Sequence, residues 1–411
     1  MRTRLPGMEA WMAAVGGGHL FFGVYCIFAA VFFRERVIYD TAVFLNTGPL
    51  LDAAPFRALD RVSVQLPPQL LPLAVVLLGG PSMLAALAYS VNFALFHYVV
   101  WLALVHGFRR RDLGAGFIVC ILVNLVHTNT FIQADLIHAA GYLFLFIAAA
   151  EWTPRSAMAG RTTRPALLLI LLTAACFGHP VMTVLSAHFA LYIMLTAKRF
   201  DKTLAIITAV VIILYFVNKA AIKPGYESGA FGTALALRHL PESLSVLPNY
   251  LRRAHWPAAA FLVVSTAAVL RARSGWLAFG MTLGTLGTLL TALCSWIPLY
   301  EHSNWQFSGY TWMYFLSLYI VMVLPVYHRN AETGRGGVRT LAAMRTLAFV
   351  IALTWAIAGT TLDFHLARER EMFITRVRDA LDGVAPRTYL LDAQFSTNPL
   401  LRENDLTMWD D

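Results

Sequence analysis

Apolar runs of roughly twenty residues recur from one end of the chain to the other, and few structures tolerate that pattern. Inside a lipid bilayer every backbone N–H and C=O must be satisfied by the chain itself, so only helices and closed barrels span it. These runs are continuous, without the alternation of a barrel strand, so they are read as helices. They fall near 8–33, 81–106, 112–130, 134–152, 165–178, 180–197, 203–219, 256–271, 275–296, 310–328 and 341–361. The expected fold class is an all-α polytopic membrane protein of about eleven transmembrane helices. Composition agrees: 58% of the residues are hydrophobic and 13% charged, where soluble domains carry roughly 25% charged residues.

Two stretches need a decision. Leu70–Gly80 is apolar but short and follows Pro67-Pro68-Gln69. A segment of that length is more often interfacial or re-entrant than spanning, and a crossing there would move Arg109-Arg110-Arg111 to the outer side. The run 165–197 is the opposite case, 33 residues long. As one helix it would reach roughly 50 Å, against a hydrocarbon core of about 30 Å. Gly178-His179-Pro180 punctuates it, so two short helices joined by a tight outer turn are expected.

With the N-terminus inside, the inner loops hold Arg2, Arg4, Arg109 to Arg111, Arg155, Arg161, Arg164, Lys198, Arg199, Lys202, Arg271, Arg273, Arg329, Arg335, Arg339 and Arg345. Short basic inner loops are what the positive-inside rule expects. The formal charge of +9 is thereby assigned to membrane orientation and anionic headgroups. The basic residues form no patch or motif for nucleic acid. Of the 23 acids, only Glu9, Asp112, Glu151, Asp201 and Glu332 fall inside. Cys26, Cys120, Cys176 and Cys294 lie apart in apolar runs and form no CxxC, so they are read as small buried hydrophobes. Residues 8–33 are too long for a secretory signal and lack a small-residue cleavage site, so they are expected to be an uncleaved first span. A transmembrane domain over 1–362 is followed by a small outer C-terminal segment, 363–411, opening with an amphipathic helix.

The outer segments 34–80 and 220–255 carry the candidate chemistry. Asp40 follows the first span at the head of a loop too long for a mere connection. Glu35, flanked by Arg34 and Arg36, is expected in a local ion pair. Asp135 stands at an outer turn with apolar flanks; a carboxylate at that depth suggests function, while a helix cap is the plain alternative. His138 shares its helical face at a spacing that can hold a divalent metal, but no denser cluster accompanies the pair. No cofactor is assigned on this basis. His179 occupies the outer turn, either structurally or in binding. Glu301 and His302 belong to a polar, aromatic outer turn suited to sugar hydroxyls and ring faces, or to an aromatic belt. Lys219, Lys223, Arg252 and Arg253 stand at the outer edge against the charge rule, which suggests either an anionic ligand such as a lipid phosphate or headgroup anchoring.

This layout resembles the GT-C superfamily of integral membrane glycosyltransferases. The resemblance covers about residues 1–330. It rests on one span, a long outer loop with an acid just past it (Arg36-Val37-Ile38-Tyr39-Asp40), and a second acid in the next outer turn (Gln133-Ala134-Asp135). It implies a polyprenyl-phosphate sugar donor, with Asp40 orienting or deprotonating the acceptor and Asp135 as the second acid. It also implies a bacterial inner (plasma) membrane location with a cytoplasmic N-terminus and a periplasmic C-terminus. The chain lacks a full Asp-x-Asp in either loop and the large folded outer domain of several members, so metal dependence and the acceptor (glycan, lipid or protein) stay unassigned. The competing readings are a non-catalytic subunit of an envelope-polysaccharide assembly and a lipid-linked sugar transporter or flippase. Charges gathered at the span edges count against transport.

The topology has a direct test. Cysteines introduced at Ser228 and Ser396 in a cysteine-free background should react with a membrane-impermeant thiol reagent added from outside. Reaction of either only from the cytosolic side would show the span count to be wrong.

Overall fold

The computed structural model describes residues 15–36, 45, 49–50, 52–55, 62–128, 134–152, 162–197, 200–221, 241 and 280–288, and positions 350, 353–354, 357, 361 and 372. Among them the structure is helical and contains no strand. In order come α1 (Val15–Val31), α2 (Phe33–Arg36), α3 (Val62–Leu77), α4 (Ser82–Leu102), α5 (Arg111–Thr128), α6 (Ala134–Glu151), α7 (Arg164–Cys176), α8 (Pro180–Thr196) and α9 (Lys202–Ala221). A π-helical turn, Ala103–Gly107, extends α4. Residues 280–288 are also helical. Most of the later expected spans and nearly all of 363–411 lie outside the described residues.

Among the described residues two helices are long and apolar enough to cross a membrane: Ser82–Gly107, with 26 residues, and Lys202–Lys219, with 18. The run 165–197 divides as expected. Its first helix ends at Cys176, and the second starts at Pro180, whose missing N–H costs nothing in a first turn. Exposed apolar side chains form stripes, Leu20, Val24, Ile27 and Val31 on α1 and Ile206, Val210, Ile213 and Val217 on α9. The spacing of three and four is one face of a helix.

α4 is the hub. It packs against α1, α2, α3, α5 and α6. Its Trp101 is buried and seated in two glycine notches. A Cβ on Gly18 of α1 would overlap the Trp101 ring, and one on Gly114 of α5 would come within 3.3 Å of its Nε1. Small residues thus let three helices close on one large ring. On the same face Ser90 Oγ donates to the Ala29 carbonyl at 2.7 Å, satisfying an acceptor in the last turn of α1.

α3 lies along α4 and also touches α6 and α7, although it contains Pro67, Pro68 and Pro72. A proline removes the donor that the carbonyl four residues earlier would use. Neighbouring helices supply replacements. The Tyr142 hydroxyl of α6 donates to the Ser63 carbonyl at 3.1 Å, and Asn92 Nδ2 of α4 donates to the Pro68 carbonyl at 3.0 Å. Those are the acceptors orphaned by Pro67 and Pro72. The α3 segment is therefore a packed member of the bundle.

Charged groups collect at one end. Arg110 bonds Asp112 and Glu151, tying the start of α5 to the end of α6. Arg164 donates to the Ala150 carbonyl and to Asp201 Oδ2, both at 2.6 Å. Asp201 also caps α9, its Oδ1 accepting from the Leu204 N–H at 3.0 Å. Partial burial raises the Asp201 pKa, but the Leu204 N–H and the Arg164 guanidinium outweigh it, and the carboxyl sits below its ordinary value. A depressed folded-state pKa stabilises above the unfolded value, roughly 4, and that contribution fades as pH falls below it. Asp201→Ala should cost about 0.5–2 kcal/mol near neutral pH, as for a lost cap. The deficit should shrink when unfolding is measured at progressively lower pH through that range.

Candidate functional site

Three helical segments converge on one ring. Phe93 of α4 is fully buried. His97, one turn on, has its ring centroid 4.7 Å from that of Phe93 and its Nδ1 2.8 Å from the Phe93 carbonyl oxygen. A carbonyl only accepts, so this nitrogen carries the proton. His138 of α6 meets the same ring at 4.7 Å, and the two histidine centroids are 4.9 Å apart. Phe96 closes over His138 at 4.2 Å.

The other approach is from Arg36, the last residue of α2. Its guanidinium carbon lies 5.8 Å from the centroid of Phe93, 5.4 Å from Tyr25 and 5.8 Å from Phe28. The side chain is wholly buried, and among the described residues none of its three guanidinium nitrogens has a hydrogen-bond partner. The Glu35 side chain, expected in a local ion pair, lies outside the described residues. The break at Phe32 turns the chain and brings Arg36 alongside α4. Ring faces attract a cation by roughly 0.5–2 kcal/mol each. They do not replace the directional acceptors that five N–H groups require.

Phe93 stands eleven residues into α4 but meets His138 only one turn into α6, so the cation lies beside the middle of α4 and near the outer ends of α1 and α6. The charged layer of Arg110, Glu151 and Arg164 is at the far end of α4's partners. Among the described residues Arg36 is thus a buried cation apart from that layer, sharing the Phe93 ring with two histidines.

The sequence-predicted residues distribute as follows. Asp135 is the second residue of α6, one turn before His138, its backbone therefore at the helix start; its side chain is outside the described residues. Asp40, Lys223, Arg252, Arg253, Glu301 and His302 also lie outside them. His179 is buried and acts as the N-cap of α8, its Nδ1 accepting from the Val181 N–H at 3.3 Å. Its turn packs into the bundle: a Cβ on Gly178 would come within 2.6 Å of Val64 and 3.0 Å of Ala139. Lys219, in the last turn of α9, has its Nζ 5.8 Å from the centroid of Tyr215. Tyr215 in turn stacks edge-on against Phe177 at 5.6 Å. Asp135, His179 and Lys219 are therefore carried at the same end of the bundle, opposite the ion-paired layer.

Sequence reasoning passed over His97 and gave Arg36 a surface role. A signal existed for both. His97 interrupts an apolar span, and Arg36 is a basic residue at an outer span edge, the same anomaly noted for Lys219. Among the described residues no group of three or more His, Cys, Asp or Glu could hold a metal ion.

No protein-family model matches the sequence, and no curated protein or solved structure matches it either.

The capping geometry assigns His179 a structural part that can be measured. His179→Ala should destabilise the protein by about 0.5–2 kcal/mol, and His179→Asn, which can cap, should recover most of that. Equal loss in both variants would mean the ring itself is needed.

Proposed function

We propose that the chain is a polytopic membrane glycosyltransferase of GT-C type. It moves a sugar from a polyprenyl-phosphate donor to an acceptor on the outer face of the membrane. The exposed apolar stripes on α1 and α9 support the membrane setting, because hydrocarbon is the solvent that tolerates them. The basic inner layer at Arg110 and Arg164 supports a cytoplasmic placement of that end.

The observation that carries the reading is the convergence on Phe93. Arg36 precedes Asp40 by four residues, and His138 follows Asp135 by three. Both Arg36 and His138 lie against the Phe93 ring. A four-residue extended chain spans at most about 14 Å, so the backbone of Asp40 is tethered within that reach of Arg36. Asp40 and Asp135, 95 positions apart in sequence, are each a few residues from a group on the Phe93 ring, which supports reading them as two acids of one site.

In the proposed reaction Asp40 takes the proton from an acceptor hydroxyl. The hydroxyl oxygen bonds to the anomeric carbon of the sugar, the bond from that carbon to the phosphate oxygen breaks, and the lipid phosphate leaves as an anion. Cations at the departing phosphate stabilise the charge that develops there. Lys219, Lys223, Arg252 and Arg253 are the candidates at the outer edge, and Asp135 is the second acid.

Asp40→Asn should abolish transfer while leaving expression and donor binding near normal. Asn retains the size and most hydrogen bonds but cannot take a proton. Loss of a general base typically costs about 10²–10⁴-fold in rate. Glu35→Gln serves as the control and should transfer normally. The measurement is transfer from a lipid-linked sugar pool in membranes holding equal amounts of each variant. Near-normal transfer by Asp40→Asn, or greater damage from Glu35→Gln, would remove Asp40 from the reaction.

A further inference from the structure

The guanidinium of Arg36 is buried, surrounded by rings, and, among the described residues, without a hydrogen-bond acceptor. A charge in that state is held at a cost of several kcal/mol unless an anion completes it. We propose that Arg36 is the anchor of a buried anion site near the outer end of the bundle, and that its ligand is the phosphate of a lipid admitted beside α1, α2 and α4.

Four features of the surroundings point to this ligand class. The guanidinium offers five donors in a planar fork that suits the paired oxygens of a phosphate. The walls, Tyr25, Phe28 and Phe93, are aromatic and suit the chain that follows a lipid phosphate more than a hydrated ion. No described carboxylate bonds the cation; Asp112, Glu151 and Asp201 are engaged in ion pairs at the opposite end. Finally, α1 turns Leu20, Val24, Ile27 and Val31 outward, so the helix that leads to Arg36 meets lipid along its other face. A phosphate arriving from the bilayer has only the thickness of that helix to pass.

In naming a polyprenyl phosphate as the physiological lipid, the inference rests on the transferase reading. It adds a donor subsite inside the bundle to the outer-edge basic residues. Binding requires no transfer, so the two ideas fail separately: Asp40→Asn addresses the reaction, and Arg36 variants address the phosphate.

The test uses the purified full-length protein in phosphate-free detergent, with farnesyl phosphate, farnesol and inorganic phosphate as probes. Farnesyl phosphate should bind and raise the melting temperature, while farnesol should do so far less. Arg36→Gln should weaken farnesyl phosphate binding about 10–100-fold, the loss of one charge-assisted contact pair, and leave farnesol unchanged. Arg36→Met supplies a second readout. Replacing an uncompensated buried charge by an apolar chain of similar length should raise the melting temperature of the ligand-free protein and abolish the rise on adding farnesyl phosphate. Binding of inorganic phosphate as tightly as farnesyl phosphate, with the same Arg36 dependence, would keep the anion site but overturn its assignment to a lipid. Undiminished farnesyl phosphate binding in Arg36→Gln would overturn the site itself. So would an Arg36→Met protein that is less stable than the parent without ligand yet still responds to farnesyl phosphate, which would make Arg36 a structural cation.

Discussion

The bundle depends on close approach to α4. Trp101 is too large for ordinary helix spacing, and it is accommodated because α1 and α5 each present a glycine where the ring lies. Lipid gives helices no hydrophobic reason to associate, so van der Waals fit of this kind must hold them. Once α1 is seated at Gly18 its register on α4 is set. Phe22 then meets Tyr98, Ala29 meets Ser90, and the chain leaving α1 arrives beside Phe93. The position of Arg36 is thus a consequence of packing that begins at the other end of α4, about two turns from Phe93.

The second constraint is polar satisfaction. α3 would be a poor helix alone, with three prolines in sixteen residues. It persists because Tyr142 and Asn92 donate to carbonyls that the prolines orphan. Ser63 repeats the theme in reverse, its hydroxyl donating to the Ala174 carbonyl at 2.9 Å. A fold that places a donor against each of these acceptors makes the bare guanidinium of Arg36 conspicuous. Among the described residues Arg36 leaves three buried nitrogens without a hydrogen-bond partner where His97, Thr183, His188 and Thr208 leave one atom each, and departures of that size tend to fall where function requires.

Sequence made the helices readable because hydrocarbon imposes length and apolarity together. The described helices from α4 to α9 begin and end within a few residues of the apolar runs, and Gly178-His179-Pro180 divides the long run where expected. What pattern could not reveal was α3's place against α4. Its short apolar stretch starts after two prolines, and its support comes from side chains on other helices. The site was legible only in part. Asp135 and His138 share a helical face by spacing alone, and His179 caps a helix that proline announces. The meeting of Arg36, His97 and His138 at Phe93 depends on crossings of α2, α4 and α6, which no local pattern encodes. Reading Arg36 only as a flank of Glu35 treated the span edge as the protein edge. The chain instead turns at Phe32 and carries its charge back into the stack.

That turn bears on how a lipid-phosphate enzyme would handle its substrate. A phosphate held at the bilayer surface competes with water and headgroup cations for every contact, and each contact is correspondingly weak. Drawn beside Arg36 it would exchange that screening for a low-dielectric setting where one guanidinium acts strongly. The histidines define what the ligand meets next. With Nδ1 of His97 committed to the Phe93 carbonyl, its neutral ring has only a lone pair left to present. It therefore adds no second positive charge unless the ring becomes protonated. A single fixed cation would bind an anion without the added hold of a second one, which would suit a phosphate that has to leave as product. The empty state bears the cost as reduced stability, and the tight seating of Trp101 and the ion-paired end of the bundle are where that cost can be offset.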